Sequence, residues 1–430
     1  MGKAELDWGQ YKRQAEKYIA DPGEYKDLSG LQEMKKAHAE RYRSLIGNVR
    51  SYMAEKGSPD KIKDPRFKLW FQRQEARNRF QSSISRHMEG MYYIPAAFEL
   101  TDGCSIGCDF CCLAAKRLSA VYRYTGEHAR EWKDLLGVMR ETLGDFAGAG
   151  LCYFATEPFD NPDYEQFLQD FYDINGYIPQ TTTAAADRDI ERTRTFLKNL
   201  GEEELAHAAV RFSVTSLKQL EKIHRAFTPE ELYYVELLMN NPESVNAYSR
   251  SGRSIGLSDQ MESKQFLDNI SSICTCGFVT NMPRHTVMLV SAHRPGERYP
   301  LGMRILEKRT FRDPAEYRTE LLGMIERWMP REMPKDSPME TADFVSWERS
   351  GFRIKMRGDK ISRTVTTGAA EQEGFRMLVR DGISVNDILM SVPMTEYEKE
   401  RFLKNVELFY KSGYLEERRE KNGMESGKDQ

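Results

Sequence analysis

The sequence predicts an α/β protein: a partial (β/α)6 barrel preceded by an N-terminal helical region and followed by a small C-terminal α+β module. Two observations carry this reading. From Tyr92 onward, short apolar runs alternate with helical stretches, the pattern of strand and helix units around a parallel sheet. Before that point strand signals are absent, and after a Pro-rich and Met-rich link near residue 330 the alternation stops. A chain of 430 residues leaves room for all three parts, at about 100 to 200 residues per domain.

Residues 1–92 form the expected helical region. Tyr11, Ala15, Tyr18 and Ile19 recur at helical spacing, as do Leu31, Met34, Ala37, Tyr42 and Leu45. Between Lys61 and Arg86, eight Lys or Arg stand against two acids and are interleaved with Phe67, Trp70, Phe71 and Phe80. This is either a basic, aromatic binding surface or a set of ordinary solvated helix faces. The barrel is expected over 93–330, with strands near 96–101, 151–155, 179–184, 209–214, 234–239 and 273–280. Six such units fit a partial barrel better than a doubly wound sheet, although periodicity alone leaves both open. Residues 284–311 read as a hairpin-type pair with RPGERYPLG as its loop.

After a helix near 313–328, the link MPREMPKDSPMET marks a boundary, and 331–416 is expected as the C-terminal module. A strand at 352–356, helices at Ser384–Met390 and Glu396–Lys411, and a closing strand in SGYLEE give an order like that of a winged helix. Its mixed charges favour packing or peptide docking over nucleic-acid reading. Residues 417–430 are expected to be a disordered tail.

Composition excludes several classes. With 40% hydrophobic and 30% charged residues, the chain is neither collagen-like, nor a disulfide scaffold, nor intrinsically disordered. A formal net charge of -3 supplies no global field for nucleic acid or anionic lipid. No apolar run approaches the roughly 18 residues of a spanning helix. The start, MGKAELDWGQYKRQAEKY, is polar and unlike a secretory leader, so neither nucleic acid nor membrane is expected as a partner and the location is expected to be cytoplasmic.

The seven cysteines are the informative residues, because four of them lie between positions 104 and 112. Such clustering points to a metal or redox site in a reducing compartment. Cys104, Cys108 and Cys111 stand in a C-x3-C-x2-C spacing just after the first expected strand. A cubane iron–sulfur cluster is usually held by four Cys, so three ligands leave one iron open to a substrate or cofactor. The alternative, structural zinc, wants four ligands, and the nearest fourth, Cys112, is adjacent to Cys111. Cys112 reads more simply as a small buried hydrophobe.

On this spacing, with the aromatic Phe110 before the last cysteine, the sequence resembles the radical SAM superfamily. The resemblance implies that Cys104, Cys108 and Cys111 bind a [4Fe-4S] cluster whose open iron chelates S-adenosylmethionine (SAM). Reductive cleavage would then yield methionine and a 5′-deoxyadenosyl radical that abstracts a hydrogen atom. In YFATEPFDNPDYEQF, Glu157 matches the acidic residue of the superfamily's Gly-Gly-Glu-Pro element, which accepts the SAM ammonium, although Ala155 and Thr156 replace the glycines. By barrel position, Thr183, Arg211 and Ser213 are candidates for the SAM carboxylate and ribose, with barrel packing as the alternative.

Several stretches resemble, more narrowly, the radical SAM peptide epimerases of the proteusin type, which convert L to D residues in ribosomally made peptides. These are DPRFKLWFQRQEARNRF, FELTDGCSIGCDFC, YFATEPFDNPDYEQF with QTTTAAADRD, and CTCGFVTNM leading into LVSAHRPGERYPLGMRILEKRTF. The resemblance implies a precursor peptide and an electron donor such as flavodoxin or ferredoxin as partners. Epimerisation needs a hydrogen-atom donor across the substrate, and a thiol supplies one most easily. Cys152, Cys274 and Cys276 are the candidates. Alternation puts Cys274 and Cys276 on one face of the sixth strand, and Cys276 is preferred because it lies nearer the strand's C-terminal end; both could instead be packing cysteines. No cysteine follows Cys276, which disfavours auxiliary clusters. Side-chain chemistry that forms a C–C bond, ring or crosslink, and a non-catalytic metal-binding peptide-docking protein, remain the alternatives.

Overall fold

The computed structural model describes residues 58–81 and 93–418, apart from 209, 229–230, 233, 245, 258–259, 262–263, 268–270, 352 and 359–361. The helices expected before residue 58 and most of the expected tail lie outside the described residues.

Helix α1 (Pro65–Gln81) starts where Asp64 accepts the N–H groups of Arg66 (2.8 Å) and Phe67 (2.9 Å) and Pro65 presets the first turn. Phe67, Trp70 and Phe71 recur at i, i+3 and i+4 and are buried. Phe67 stacks on Phe278 and Phe71 meets Phe146 edge-on. A basic, aromatic surface is therefore not observed over these residues, because Phe67, Trp70 and Phe71 enter the core and Arg77 is buried with them.

Strand β1 (Ile94–Glu99) is buried along its whole length, as expected of a strand covered on both faces. β2 (Thr101–Asp102) pairs antiparallel with β3 (Ala120–Val121) and closes the loop between them. Helix α2 (Gly126–Leu143), capped by Thr125, comes next. A single parallel bridge joins Ala97 to Leu151, where a full strand over 151–155 is expected. Beyond α3 (Tyr164–Asn175) the chain alternates through β4 (Thr182–Thr183), α4 (Ile190–Ala208), β5 (Arg211–Val214), α5 (Leu217–Ala226) and β6 (Glu236–Met239). β4, β5 and β6 form a parallel sheet in that order. A short parallel pair, β7 (Tyr248–Ser249) with β8 (Phe266–Leu267), stands apart.

The second main sheet has the order β1-β9-β10-β11, with β9 (Thr275–Asn281), β10 (Thr286–Ala292) and β11 (Met303–Thr310). β10 and β11 are the expected antiparallel pair. The architecture is thus mixed α/β in partial sheets, and among the described residues no sheet closes into a barrel. The strand expected sixth, β9, does not extend the sheet beyond β6; it pairs in parallel with β1. Its apolar run reports burial on both faces and says nothing of which neighbour provides it. No helix among the described residues is long and apolar enough to cross a membrane.

Helix α6 (Pro314–Trp328) packs against α2 and leads to a second apolar cluster. There β13 (Ser346–Ser350), β14 (Arg353–Arg357) and β15 (Ser362–Thr366) form an antiparallel meander, of which the sequence predicts only the middle strand, at 352–356. Helices α7 (Ala369–Arg376), α8 (Val385–Ser391) and α9 (Glu396–Lys411) cover it, while β12 (Met339–Thr341) pairs with β16 (Leu415–Glu417). Phe375, Phe402 and Phe409 fill its centre. Helix α1 ties this cluster to the main sheet. Arg77, 2% exposed, donates to Ser291 Oγ (2.8 Å) and the Ala292 carbonyl (2.9 Å) and pairs with Glu416 at 3.5 Å. Burial would raise the Glu416 carboxyl, but the guanidinium groups of Arg304 and Arg77 hold it well below the usual carboxylate range.

Candidate active site

The three spaced cysteines lie on the loop between β2 and β3, beyond the C-terminal end of β1. The Cys104 N–H donates to the Lys116 carbonyl (2.8 Å), and the Cys111 N–H donates to the Cys108 carbonyl (3.2 Å). The Ala115 N–H points at Cys111 Sγ at 3.4 Å. All three cysteines are half-buried. Burial pushes the Cys104 thiol up, against the amides of Ile106 and Gly107 that favour its thiolate. Burial, and then the nearby Cys104 and Cys111, push the Cys108 thiol up to about 12. Thiols crowded this way hold their protons until a metal displaces them.

The loop is fastened on two sides. On one, the Ser105 N–H donates to Asp160 at 2.7 Å, and Arg188 reaches both Ser105 Oγ (2.6 Å) and Asp160 (3.3 Å). On the other, Arg253 donates to carbonyls within the loop. Phe110 stacks on Tyr248 with centroids 5.0 Å apart. Among the described residues, no three His, Cys, Asp or Glu side chains gather closely enough to cage a single metal ion. A cubane offers a separate iron to each thiolate, so its ligands stand further apart than those of one ion. Three half-buried thiols on one short loop, with amide donors beside two of the sulfurs, are a donor set of the right chemistry for it.

Glu157 is 3% exposed and lies within electrostatic reach of Cys104. Its carboxylate accepts from Thr183 Oγ, the Ala184 N–H (2.8 Å) and the Phe159 N–H (3.1 Å). Burial outweighs these three donors and pushes the Glu157 carboxyl up to about 7. A buried carboxyl poised there gains most from a cationic partner, which is the chemistry an ammonium would satisfy. Thr183 is brought to Glu157 as a hydrogen-bond donor, so its hydroxyl is already engaged with the protein.

Arg211 and Ser213 point to one side of β5, their neighbours Phe212 and Val214 to the other. Arg211 pairs with Glu236 at 2.7 Å, and Ser213 Oγ accepts from Asn240 at 2.7 Å. Tyr153 donates to Thr182 (2.9 Å), and burial pushes its phenol up to about 12, with the Arg211 charge opposing. Burial likewise raises the Cys274 thiol, and Arg211 opposes it. Cys274 also acts electrostatically on Cys112 and Tyr153. Cys104, Glu157, Tyr153, Arg211 and Cys274 therefore form a chain of neighbours.

Cys276 lies elsewhere. It is fully buried, 3.5 Å from Asn78 Nδ2 of α1 and 3.8 Å from Ser291 Oγ of β10. Cys274 stands just before β9, where its carbonyl accepts from the Ile94 N–H at 2.9 Å, and it is half-buried, whereas Cys276 lies within β9 and is buried. Cys152 is packed in the main core, with burial raising its thiol.

Three groups here escape sequence reasoning. Arg253 and the Asp160–Arg188 pair carry no local signal, since each meets the cysteine loop only through the fold. Glu99 does carry one, as a carboxylate in an otherwise apolar strand. It is buried, accepts from the Ala155 N–H and Asn281 Nδ2 (each 2.9 Å), and has its carboxyl raised by burial. It lines a cavity of about 350 Å³ together with Asp102, Phe154, Asn281, Arg284 and Met303.

No protein-family model matches the chain. An uncharacterized protein, y4wI, of Sinorhizobium fredii (strain NBRC 101917 / NGR234) is 38% identical over 283 residues, covering 64% of this chain. The chain spans about half (54%) of the length of that relative. Among solved structures, BtrN in complex with AdoMet and 2-DOIA is similar with a TM-score of 0.31 and 14% identity, over 45% of this chain and 72% of that one.

Proposed function

We propose that the chain is a radical SAM enzyme that modifies a ribosomally made peptide by L-to-D epimerisation. The observation that carries the reading is the C-x3-C-x2-C loop with the buried Glu157 beside Cys104. In this reading Cys104, Cys108 and Cys111 hold a [4Fe-4S] cluster. When bound, cluster and SAM would supply a reductively generated carbon radical able to take a hydrogen atom from a peptide Cα. Glu157 accepts the SAM ammonium in a charge-assisted hydrogen bond. Arg211, which acts on Tyr153 and Cys274, is assigned to the SAM carboxylate, and Ser213, on the same side of β5, to the ribose.

Hydrogen return is assigned to Cys274 in preference to Cys276. Its support is the neighbourhood: Cys274 is only partly buried and faces Arg211 and Tyr153, whereas Cys276 is enclosed by α1 and β10. The sulfur gives up a hydrogen atom to the face of the Cα radical opposite the one that lost it, and the resulting thiyl radical must then be reduced and reprotonated by the external electron donor and solvent.

Anaerobic reconstitution followed by SAM and dithionite tests the first half. The expected result is 5′-deoxyadenosine from the wild type and none from Cys104→Ala, Cys108→Ala or Cys111→Ala. Product formation by the triple variant would overturn the cluster assignment. Coexpression with a precursor peptide in deuterated water tests the second half: epimerisation adds about one mass unit per site as solvent label, whereas ring or crosslink formation removes hydrogen.

A further inference from the structure

We propose that Arg253 is a positioning residue that clamps the cysteine loop in the shape a bound cluster needs and sets a fixed positive charge beside it. The inference rests on the reading of Cys104, Cys108 and Cys111 as cluster ligands.

The geometry is specific to this residue. Its main-chain N–H donates to the Cys111 carbonyl at 3.0 Å, its Nε to the Cys108 carbonyl at 2.8 Å, and its Nη1 to the Ala115 carbonyl at 2.7 Å. One residue thus holds the peptide planes of two ligand cysteines and the end of their loop. Fixing a peptide plane fixes the direction of the adjoining Cα–Cβ bond, and therefore where the sulfur points. The planar guanidinium serves two carbonyls at once, which the single nitrogen of a lysine cannot reproduce.

Gly252 brings Arg253 this close. It has φ +58°, and a Cβ there would lie 2.4 Å from the Cys112 carbonyl oxygen and 2.5 Å from that of Cys111. Only glycine accepts both the left-handed backbone and the contact. The Gly252 N–H donates to the Pro300 carbonyl (2.8 Å) in the β10–β11 loop, so the clamp is anchored to the main sheet. The guanidinium, with Nε 2.8 Å from the Cys108 carbonyl, also sets a fixed positive charge beside that ligand. Asp160 and Arg188 hold the loop through Ser105, whereas the Arg253 side chain bonds the carbonyl of a ligand cysteine, Cys108, directly.

The test compares the full-length wild type, Arg253→Lys and Arg253→Gln after anaerobic reconstitution. Two quantities are read: the chelator concentration that strips the iron, and the midpoint potential of the cluster by EPR-monitored titration. Supporting groups of this kind change metal retention by about 10- to 100-fold, so both variants should release iron at correspondingly lower chelator. Reduction adds negative charge to the cluster, so loss of the cation in Arg253→Gln should move the midpoint to a more negative potential, while Arg253→Lys stays near wild type. Wild-type retention and midpoint in Arg253→Gln would overturn the clamp alone. A wild type that assembles no cluster would overturn the cluster reading itself and the clamp with it.

Discussion

Glu157 offers the sharpest physical test. Its carboxyl is pushed up to about 7 by burial, from an ordinary value of 4.5. Between those two pH values the folded chain keeps a proton that the unfolded chain has released, so this group's contribution is fully present below about pH 4.5 and is lost as the pH rises through about 7. At about 1.36 kcal/mol per pKa unit, the loss amounts to roughly 3 kcal/mol. Glu157→Gln removes the titration and keeps the shape. The amide nitrogen it introduces must face one of the N–H donors of Phe159 or Ala184, but that penalty does not change with pH. Urea denaturation of both proteins at about pH 5 and about pH 8 isolates the titration. Relative to the variant, the wild type should lose roughly 2 to 3 kcal/mol between the two pH values. An unchanged difference would refute the argument that burial outweighs the three hydrogen bonds. Binding of a cationic ligand to the wild type should likewise tighten as pH rises through about 7.

Other substitutions probe separate parts of the molecule. Cys274→Ala should retain 5′-deoxyadenosine formation but incorporate little solvent deuterium into peptide, while Cys276→Ala incorporates it normally; the opposite outcome would return the donor role to Cys276. Glu416→Gln leaves Arg77 buried without its counter-charge and should cost about 3 to 5 kcal/mol by urea denaturation. A cost below about 1 kcal/mol would show that the bonds from Arg77 to Ser291 and Ala292 suffice alone. Gly277→Ala places a Cβ 1.9 Å from the Pro95 carbonyl oxygen at φ +152°, between β1 and β9. It should cost at least about 3 kcal/mol, read as a lowered thermal midpoint, and a wild-type midpoint would contradict this packing.

Sequence alone determined what is local. The C-x3-C-x2-C spacing puts three thiols on one short loop whatever the rest of the chain does. The apolar runs near 96–101 and 273–280 announced β1 and β9, and the amphipathic pattern over Glu396–Lys411 announced α9. The hairpin of β10 and β11 followed from two runs around a Pro-Gly loop. Tertiary structure decided everything that depends on distant neighbours. A strand's periodicity does not name its partner, so β9 beside β1 was invisible. Alternation could not name the neighbours of Cys274 and Cys276, which are Arg211 for the first and Asn78 and Ser291 for the second, all distant in sequence. Thr183 looked like a ligand contact until the fold brought its hydroxyl to Glu157, 26 residues away. Arg253 meets the cysteine loop across 145 residues of chain, a contact that no short-range rule contains, because the energy that forms it comes from folding the sheets between.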